Sequence, residues 1–385
     1  MPTPLTPSRI TKAYVGALIQ DGDALRADHA LAILQHGVFS VVPIAALPIG
    51  CPIEQLDGGV ITPAFVDLQV NGGGGVMFND DQSLDALRTI AAAHASTGTG
   101  AILPTLITDT PARTQAAIDA VAQAIEQDVP GIVGLHLEGP HLSVARKGAH
   151  DAALIRPMSD DDLTILLDAA ARIANIMVTV APENVTLAQI KTLSQAGIVV
   201  SLGHTDADAQ TCHGAFDAGA RCVTHLFNAM SQLGSREPGL VGATLSRPEI
   251  YAGLIADGIH VHPDTISIAL TAKPERLFLV TDAMATVGSD IETFTLNGRD
   301  IFRKDGRLTL ADGTLAGADL DLPKAVSIMV NGAGEPVEQA VARATSTPTQ
   351  LLRDAGPLGH LADGATMALH FARNAKTATM LHART

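Results

Sequence analysis

The chain has 385 residues, of which 46% are hydrophobic and 17% charged, and its formal net charge is −15. These values are typical of a globular protein, and the negative charge disfavours nucleic acid and anionic membrane surfaces as partners. The three cysteines are an odd number without metal-binding spacing, so a disulfide framework is not expected and a reduced cytoplasmic setting is. The stretch from Met1 to Asp21 predicts no signal peptide, and no apolar run is long enough for a membrane span.

The first sixty residues predict short strands separated by turns. Candidate strands lie at 13–19, 30–34 and 38–42, before any long helical pattern. A group of strands that precedes the first helix predicts a separate small β unit.

From about residue 60, short apolar runs alternate with Ala-rich helical patterns. The runs lie at 62–70, 101–105, 132–137, 176–180, 199–202, 222–226, 252–256 and 277–281, and the helical patterns between them at 83–94, 110–127, 160–174, 187–196 and 206–218. Apolar runs of this length that alternate with helices predict a parallel sheet buried on both faces. Eight such runs favour a closed (β/α)₈ TIM-like barrel, an α/β fold, over an open doubly wound sheet.

The last third of the chain predicts a β insert, helices and a final pair of strands. The insert at 293–310 has turns at Asn297-Gly298 and Asp305-Gly306, helical patterns follow at 323–330, 337–344 and 347–355, and strand-like runs lie at 365–372 and 377–381. Pairing of the last two runs with the N-terminal strands would form one small β domain. We therefore divide the chain into a small domain of residues 1–59 with 360–385 and a barrel of residues 60–359.

Polar side chains capable of chemistry follow most of the apolar runs. In chain order they are Asp67, Gln69, Asn71, His136, Glu138, Glu183, His204, His225, Asp257, His260 and Asp282. The carboxyl ends of barrel strands meet on one face, where the active sites of such barrels lie. This placement predicts an active site at that face.

Three of these side chains, Glu138, His204 and His225, are candidate ligands of a divalent cation. Two imidazoles and one carboxylate are a common catalytic metal set that leaves a position for water. Any single histidine could instead be a buried, hydrogen-bonded core residue. Asp282 is a candidate general base beside the cation, although a carboxylate after a strand can also cap the next helix.

Other polar features allow a structural and a functional interpretation. His136 points to the same side of its strand as Glu138, and we expect it to be a hydrogen-bonded interior histidine. The glycines at 72–75 suit either a flexible turn or a close approach to phosphate. Backbone N–H groups near Asn228, together with Arg236, suit a phosphate, although an isolated arginine is usually a solvated ion-pair partner.

Several motifs together resemble the N-acetylglucosamine-6-phosphate deacetylase family of the amidohydrolase superfamily. They occur in order between about residues 58 and 320 and are DLQVNG at 67–72, LHLEGP at 135–140, KGAH at 147–150, GHT at 203–205, THLFNAM at 224–230, REPG at 236–239, DGIHV at 257–261, VTDA at 280–283 and TLAG at 314–317. The resemblance implies a barrel beside a β-sandwich-like domain built from both termini.

The resemblance also implies roles for individual residues. Glu138, His204 and His225 would hold the metal, Asp282 would be the catalytic acid and base, and His150 would contact or polarise the acetyl carbonyl. The implied substrate-binding residues are Ala149, His150, Asn228, Ala229, Arg236, His260, Leu315, Ala316 and Gly317. Asn228, Ala229, Arg236 and His260 would bind phosphate, and one or both of the last two would serve the site of a neighbouring subunit in a homodimer or larger oligomer.

The implied cofactor is one divalent metal ion per subunit. Many related amidohydrolases carry His-x-His at the end of strand one, where this chain has Gln69 and Asn71. Amides are poor ligands of transition metals, so we expect one ion, with zinc first and iron, manganese or cobalt as alternatives.

The implied reaction is deacetylation of N-acetylglucosamine 6-phosphate to glucosamine 6-phosphate and acetate, by metal-activated water with Asp282 as the acid and base. One alternative is the same reaction on another N-acetylhexosamine phosphate, such as N-acetylgalactosamine 6-phosphate, or on another N-acyl compound. Further alternatives are another amidohydrolase reaction, a non-catalytic phosphosugar-binding barrel and a cofactor-free sugar-phosphate isomerase.

Overall fold

The computed structural model describes residues 10–361 and 364–383. Three parts of the predicted small domain lie outside the described residues, namely 1–9, 362–363 and 384–385. The stretch 1–21, which predicts no signal peptide, therefore also begins outside them. The strands are β1 (Ile10–Val15), β2 (Leu18–Gln20), β3 (Leu25–Arg26), β4 (His29–Leu34), β5 (Phe39–Pro43), β6 (Ile53–Gln55), β7 (Val60–Pro63), β8 (Phe65–Val70), β9 (Gly72–Gly73), β10 (Val76–Met77), β11 (Thr99–Ile107), β12 (Leu135–Glu138), β13 (Ile176–Val180), β14 (Val199–Leu202), β15 (Cys222–Val223), β16 (Tyr251–Leu254), β17 (Leu277–Leu279), β18 (Thr293–Leu296), β19 (Arg299–Lys304), β20 (Arg307–Thr309), β21 (Leu315–Ala318), β22 (Met367–Phe371) and β23 (Ala378–His382).

The helices alternate with the strands in the middle of the chain. They are α1 (Leu84–Ser96), α2 (Pro111–Glu126), α3 (Asp160–Arg172), α4 (Leu187–Gln195), α5 (Ala209–Ala218), α6 (Gly239–Leu245), α7 (Pro263–Ala272), α8 (Leu322–Asn331), α9 (Val337–Ala342) and α10 (Ser346–Thr349), with short 3₁₀ helices at Ile44–Ala46 and Val144–Arg146. Among the described residues, no helix combines the length and the apolar character needed to cross a membrane.

The predicted barrel is confirmed. Within the described residues, eight strands pair in the order β8, β11, β12, β13, β14, β15, β16 and β17, and every neighbouring pair is parallel. A parallel bridge between Val70 and Ala283 joins the end of β8 to the segment after β17. The amide of Asp282 donates to the carbonyl of Gln69 at 3.0 Å across this seam. The seam therefore brings the ends of the first and last barrel strands together.

Most helices of the barrel begin at residues that cap them. The side chains of Ser83, Thr110, Ser159, Thr186 and Asp208 accept a hydrogen bond from the backbone N–H of the third residue of α1 to α5, respectively. Such caps satisfy amide groups that have no partner within the helix. The helix starts are therefore set locally, and each helix then packs its apolar face against the sheet in two large buried clusters.

The two chain ends form a β-sandwich, as predicted. One sheet has the order β5-β4-β1-β6 and the other β23-β22-β7-β2-β3. Leu31 and Ile33 of β4 pack in one buried cluster with Ile19 of β2 and Leu381 of β23, so the two sheets share a core. β7, which the division at 59/60 assigned to the barrel, pairs with β2 and β22. The proposed domain bounds stay a prediction.

The predicted insert after the barrel is also present. β18 to β21 form an antiparallel sheet, and a bridge between Ala283 and Ala318 joins it to the barrel seam. The amide of Ala318 donates to the carbonyl of Asp282 at 2.9 Å. The insert is therefore attached directly beside one of the predicted site residues.

Some local predictions were wrong. The strand expected at 222–226 ends after Val223, because His225 adopts a positive φ of 31° that a strand does not allow. The helix expected at 347–355 is limited to the single turn of α10, and the sequence patterns missed α6 and α7. The errors at β15, α6 and α10 lie at short or glycine-containing segments where periodicity carries little information, whereas α7 has ten residues and no glycine.

A buried ion pair joins the two segments that flank α9, and its arginine also contacts a barrel strand, which allows a test of stability. Arg343 binds the carboxylate of Glu335 at 2.6 Å and the carbonyls of Leu277 and Pro274 at 3.0 and 2.9 Å, and both side chains are under a tenth exposed. We expect Glu335→Ala to lower the free energy of unfolding by about 3–5 kcal/mol, because it leaves a buried guanidinium without its counter-charge.

The matched control for this prediction is the exposed pair of Arg373 and Asp57, whose side chains are 72% and 100% exposed. Asp57→Ala is expected to cost less than about 1 kcal/mol. Urea unfolding of both variants measures the difference. Equal losses would show that the buried pair stabilises the fold no more than the exposed pair does.

Candidate active site

Most of the predicted site residues converge on one cavity at the carboxyl ends of the barrel strands. The cavity has a volume of about 400 Å³ and is lined by Glu138, His150, His204, His225 and Asp282. Glu138 ends β12, and the other four side chains lie in loops that follow barrel strands. The converging ends of a closed barrel therefore make the site, as expected for this architecture.

Glu138, His204 and His225 bring one ligand atom each to a common point. Glu138 Oε1 lies 3.2 Å from His204 Nε2 and 3.1 Å from His225 Nε2, and the two Nε2 atoms are 3.0 Å apart. Bonds of about 2.0–2.1 Å to a tetrahedral metal would place such atoms about 3.3 Å apart. The donor set and its spacing therefore fit a divalent cation.

The protein orients His204 for such a role. His204 Nδ1 lies 2.8 Å from the carbonyl oxygen of Arg146, which can only accept a hydrogen bond. The proton of a neutral ring is therefore on Nδ1, and Nε2 presents its lone pair to the cluster. Metal-binding histidines are commonly oriented by this kind of outer partner.

The electrostatics of the cluster favour an ionised carboxylate. Burial opposes the charge on Glu138, but hydrogen bonds with His204 and His225 outweigh it and hold the pKa well below its usual range. Burial likewise opposes the charged form of His225, yet the contact with Glu138 raises its pKa. Positive charge is therefore stabilised at the point where the three side chains meet.

The backbone at the site has a conformation that few residues adopt. His204, His225 and Asp282 have φ values of 48°, 31° and 51°, in the left-handed region. Such a conformation costs a non-glycine residue about 1–3 kcal/mol and persists where the surrounding structure imposes it. Each of these residues comes shortly after a barrel strand, and the unusual φ turns the chain there.

Asp282 lies in the same cavity and is an unusual carboxyl group. Burial and the negative charge of Glu138 raise its pKa to about 6, against the hydrogen bond from Asn71. A carboxyl group with a pKa near neutrality can both accept and return a proton. This property suits Asp282 for general acid and base catalysis.

His150 enters the cavity from the loop after β12. Its Nδ1 accepts from the backbone N–H of Thr108 at 3.4 Å and lies 2.8 Å from Thr108 Oγ1. Burial and the neighbouring His204, whose ring centroid is 4.4 Å away, keep the pKa of His150 well below its usual range. A neutral ring that accepts at Nδ1 carries its proton on Nε2, so His150 can donate a hydrogen bond.

Most of the predicted substrate-binding residues line this cavity, and two do not. Ala149, Asn228, Ala229, His260, Leu315 and Gly317 are among its walls. Ala316 packs in the buried cluster with Met284 and Leu296, and Arg236 lies exposed outside the cavity walls. His260 Nδ1 binds Asp257 Oδ2 at 2.6 Å, which places its proton on that nitrogen and leaves Nε2 for a ligand.

Two features with open interpretations have structural partners. His136 is fully buried, with Nδ1 3.1 Å from the carbonyl of Leu68 and Nε2 2.7 Å from Thr179 Oγ1, so it is the expected interior histidine. The glycines at 72–75 form the hairpin of β9 and β10 and are not among the cavity walls.

The sequence patterns did not identify several residues that support the site. They are Thr108, which orients His150; Arg146, whose carbonyl orients His204; and Arg299, which donates to the carbonyl of Ala149. Each acts through a contact between segments far apart in the chain. No local spacing signals such contacts.

Comparisons with known proteins identify the family of the chain. The sequence pattern of the amidohydrolase family matches residues 60–369. N-acetylgalactosamine-6-phosphate deacetylase from Shewanella sp. (strain ANA-3) is 44% identical over 81% of this chain and 79% of its own. N-acetylglucosamine-6-phosphate deacetylase from Haemophilus influenzae is 34% identical over 89% of this chain and 90% of its own.

A solved structure extends the similarity to both domains. The crystal structure of N-acetylglucosamine-6-phosphate deacetylase from Pasteurella multocida matches with a TM-score of 0.89 and 33% identity, over 97% of this chain and 98% of that one. The chain belongs to the amidohydrolase family. The predictions of a hydrolytic enzyme and of its resemblance to phosphosugar deacetylases are confirmed.

Proposed function

We propose that this enzyme removes the acetyl group of N-acetylglucosamine 6-phosphate and releases glucosamine 6-phosphate and acetate. The single observation that carries the proposal is the convergence of Glu138, His204 and His225 beside Asp282 and His150 in one cavity. The names of similar proteins supply the substrate class. The cavity is large enough for a sugar phosphate, since small-molecule sites typically measure about 300–1,000 Å³.

Glu138, His204 and His225 are the proposed ligands of one divalent cation, with zinc first and iron, manganese or cobalt as alternatives. When bound, such a cation polarises a carbonyl group and acidifies water. Gln69 and Asn71 both use their amide N–H groups on carboxylates, which agrees with a single ion.

The protein's own groups would handle the protons. Asp282 accepts a proton from the attacking water while a C–O bond forms at the acetyl carbon. It then donates the proton to the nitrogen as the C–N bond breaks. His150, neutral and carrying its proton on Nε2, donates a hydrogen bond to the developing oxyanion. Leu315, Gly317 and Ala149 would pack against the acetyl group or the sugar.

Phosphate would bind to other residues of the same cavity wall. We assign it to backbone and side-chain groups of Asn228 and Ala229 together with His260. Arg236 is exposed and outside the cavity walls of its own subunit, so we propose that it reaches the site of a neighbour in a homodimer or larger oligomer. We also propose that the enzyme is located in the cytoplasm.

One alternative substrate has a specific observation in its favour. The Shewanella relative with 44% identity is named for N-acetylgalactosamine 6-phosphate, the epimer at the sugar C4. The two candidate substrates would react by the same chemistry with the same cation. They differ in the orientation of the C4 hydroxyl group that the cavity walls must accommodate.

Acetate release from four compounds tests the proposal: the two 6-phosphates and their unphosphorylated counterparts, each with and without a chelator. We expect the highest kcat/KM with N-acetylglucosamine 6-phosphate and loss of activity after chelation. A higher value for the galactosamine epimer would replace the substrate assignment, and full activity after chelation would overturn the cation site. No acetate from any compound would overturn deacetylation.

A further inference from the structure

Two amide side chains at the end of β8 contact the carboxylate of Asp282. Asn71 Nδ2 donates to Asp282 Oδ1 at 2.6 Å, and Gln69 Nε2 donates to the same oxygen at 3.2 Å. Gln69 Nε2 also lies 3.2 Å from Glu138 Oε1. Both amides are under 3% exposed, so water has little access to their NH₂ groups.

The contacts define which atom of each side-chain amide is the NH₂ group and which is the oxygen. An ionised carboxylate only accepts hydrogen bonds, so the amide atom beside it must be the NH₂ group. Gln69 lies between two carboxylates, and only its NH₂ group can satisfy both. Asn71 Oδ1 is buried and has no hydrogen-bond partner among the described residues, so its only described side-chain hydrogen bond goes to Asp282.

Asp282 needs such support because of its surroundings. It lies in the same cavity as Glu138, a second carboxylate, and both carboxylates contact the side-chain amide of Gln69. Neutral amide donors stabilise the ionised carboxylate without adding a net charge to the cavity. They also restrict rotation of the carboxylate, because two donors hold one oxygen.

Both bonds end on Oδ1. Oδ2 of Asp282 receives neither of them and is the oxygen that stays available for proton transfer. We propose that Gln69 and Asn71 act as an amide clamp, a pair of positioning residues that hold Asp282 through Oδ1 and reserve Oδ2 for the reaction. The clamp rests on the proposed role of Asp282.

The test combines a substitution at Asn71 with one at Asp282. Asn71→Leu removes the shorter donor, and we expect kcat for acetate release to fall about 10–100-fold, the usual effect of an outer partner. KM and bound metal should change less than about twofold. In the Asp282→Asn background, where no carboxylate remains to be held, the same substitution should change the residual kcat less than about twofold.

Asn71→Asp is a second, isosteric variant in case the leucine variant does not fold. It replaces the donor with an acceptor, so we expect at least the same loss of kcat. Asn175→Asp is the matched control: Asn175 is buried and donates to the carbonyls of Val133 and Asp354, at the amino-terminal side of β13. Its kcat per folded molecule should equal that of the unmodified enzyme.

Three results would overturn the clamp: an equal fall of kcat with and without Asp282, a rise of KM at constant kcat, or loss of metal together with activity. Each would mean that Asn71 supports the substrate, the cation or the fold rather than Asp282. If the unmodified enzyme releases no acetate, the proposed function fails instead. Failure of the proposed function can be distinguished from failure of the clamp, because it is seen before any residue is substituted.

Discussion

Asp282→Asn is expected to lower kcat by about 10²–10⁴-fold, the usual contribution of a group that transfers protons in the transition state. Asparagine has nearly the same shape, but it cannot accept the proton from water or return one to the leaving amine. Because Asp282 is not one of the three clustered ligand residues, the metal content of the variant should match that of the unmodified enzyme.

The measurement is acetate release combined with metal analysis of the purified variant. Asp264→Asn serves as the control, since the Asp264 side chain is 90% exposed on the surface. It should leave kcat unchanged. If Asp282→Asn keeps most of its activity, another group transfers the proton, and the clamp around Asp282 loses its purpose as well.

His204→Ala is expected to abolish both cation binding and turnover. The substitution removes one of three ligand atoms that lie 3.0–3.2 Å from one another. Loss of an outer partner already lowers metal affinity about 10–100-fold, so loss of a ligand should cost more than that. His204 also closes part of the buried cavity wall, so the fold should be checked by circular dichroism.

Metal content after dialysis is the direct readout for this variant. His262→Gln is the matched control, because the His262 side chain is 70% exposed and lies outside the cluster. Its metal content and activity should be unchanged. Retention of a stoichiometric cation by His204→Ala would mean that the site lies elsewhere.

Local patterns in the sequence predicted the elements that carry the site. Buried parallel strands appear in the sequence as apolar runs. The helices between them appear as capping residues followed by apolar residues that repeat about every 3.6 positions. The strands β13 and β14 begin and end at the predicted residues for this reason. The patterns were weaker where an element is only two residues long, as in β15, or where a helix begins with glycine, as in α6.

The identity of the chemically capable residues also followed from the sequence. Glu138, His204, His225 and Asp282 each follow an apolar run, and a closed barrel collects such positions on one face. This inference needed the number of strands but not their exact register. It could not provide distances, because a single strand carries no information about its neighbours.

The amino-acid sequence by itself determined the alternation of strands and helices and which chemically capable residues follow the strands. Tertiary structure decided that Glu138 and His204, 66 positions apart, meet at 3.2 Å, and that Gln69 contacts Asp282 across 213 positions. The physical reason is that burial periodicity is a local property of the chain. Barrel closure, left-handed turns and orienting hydrogen bonds arise only when distant segments pack together.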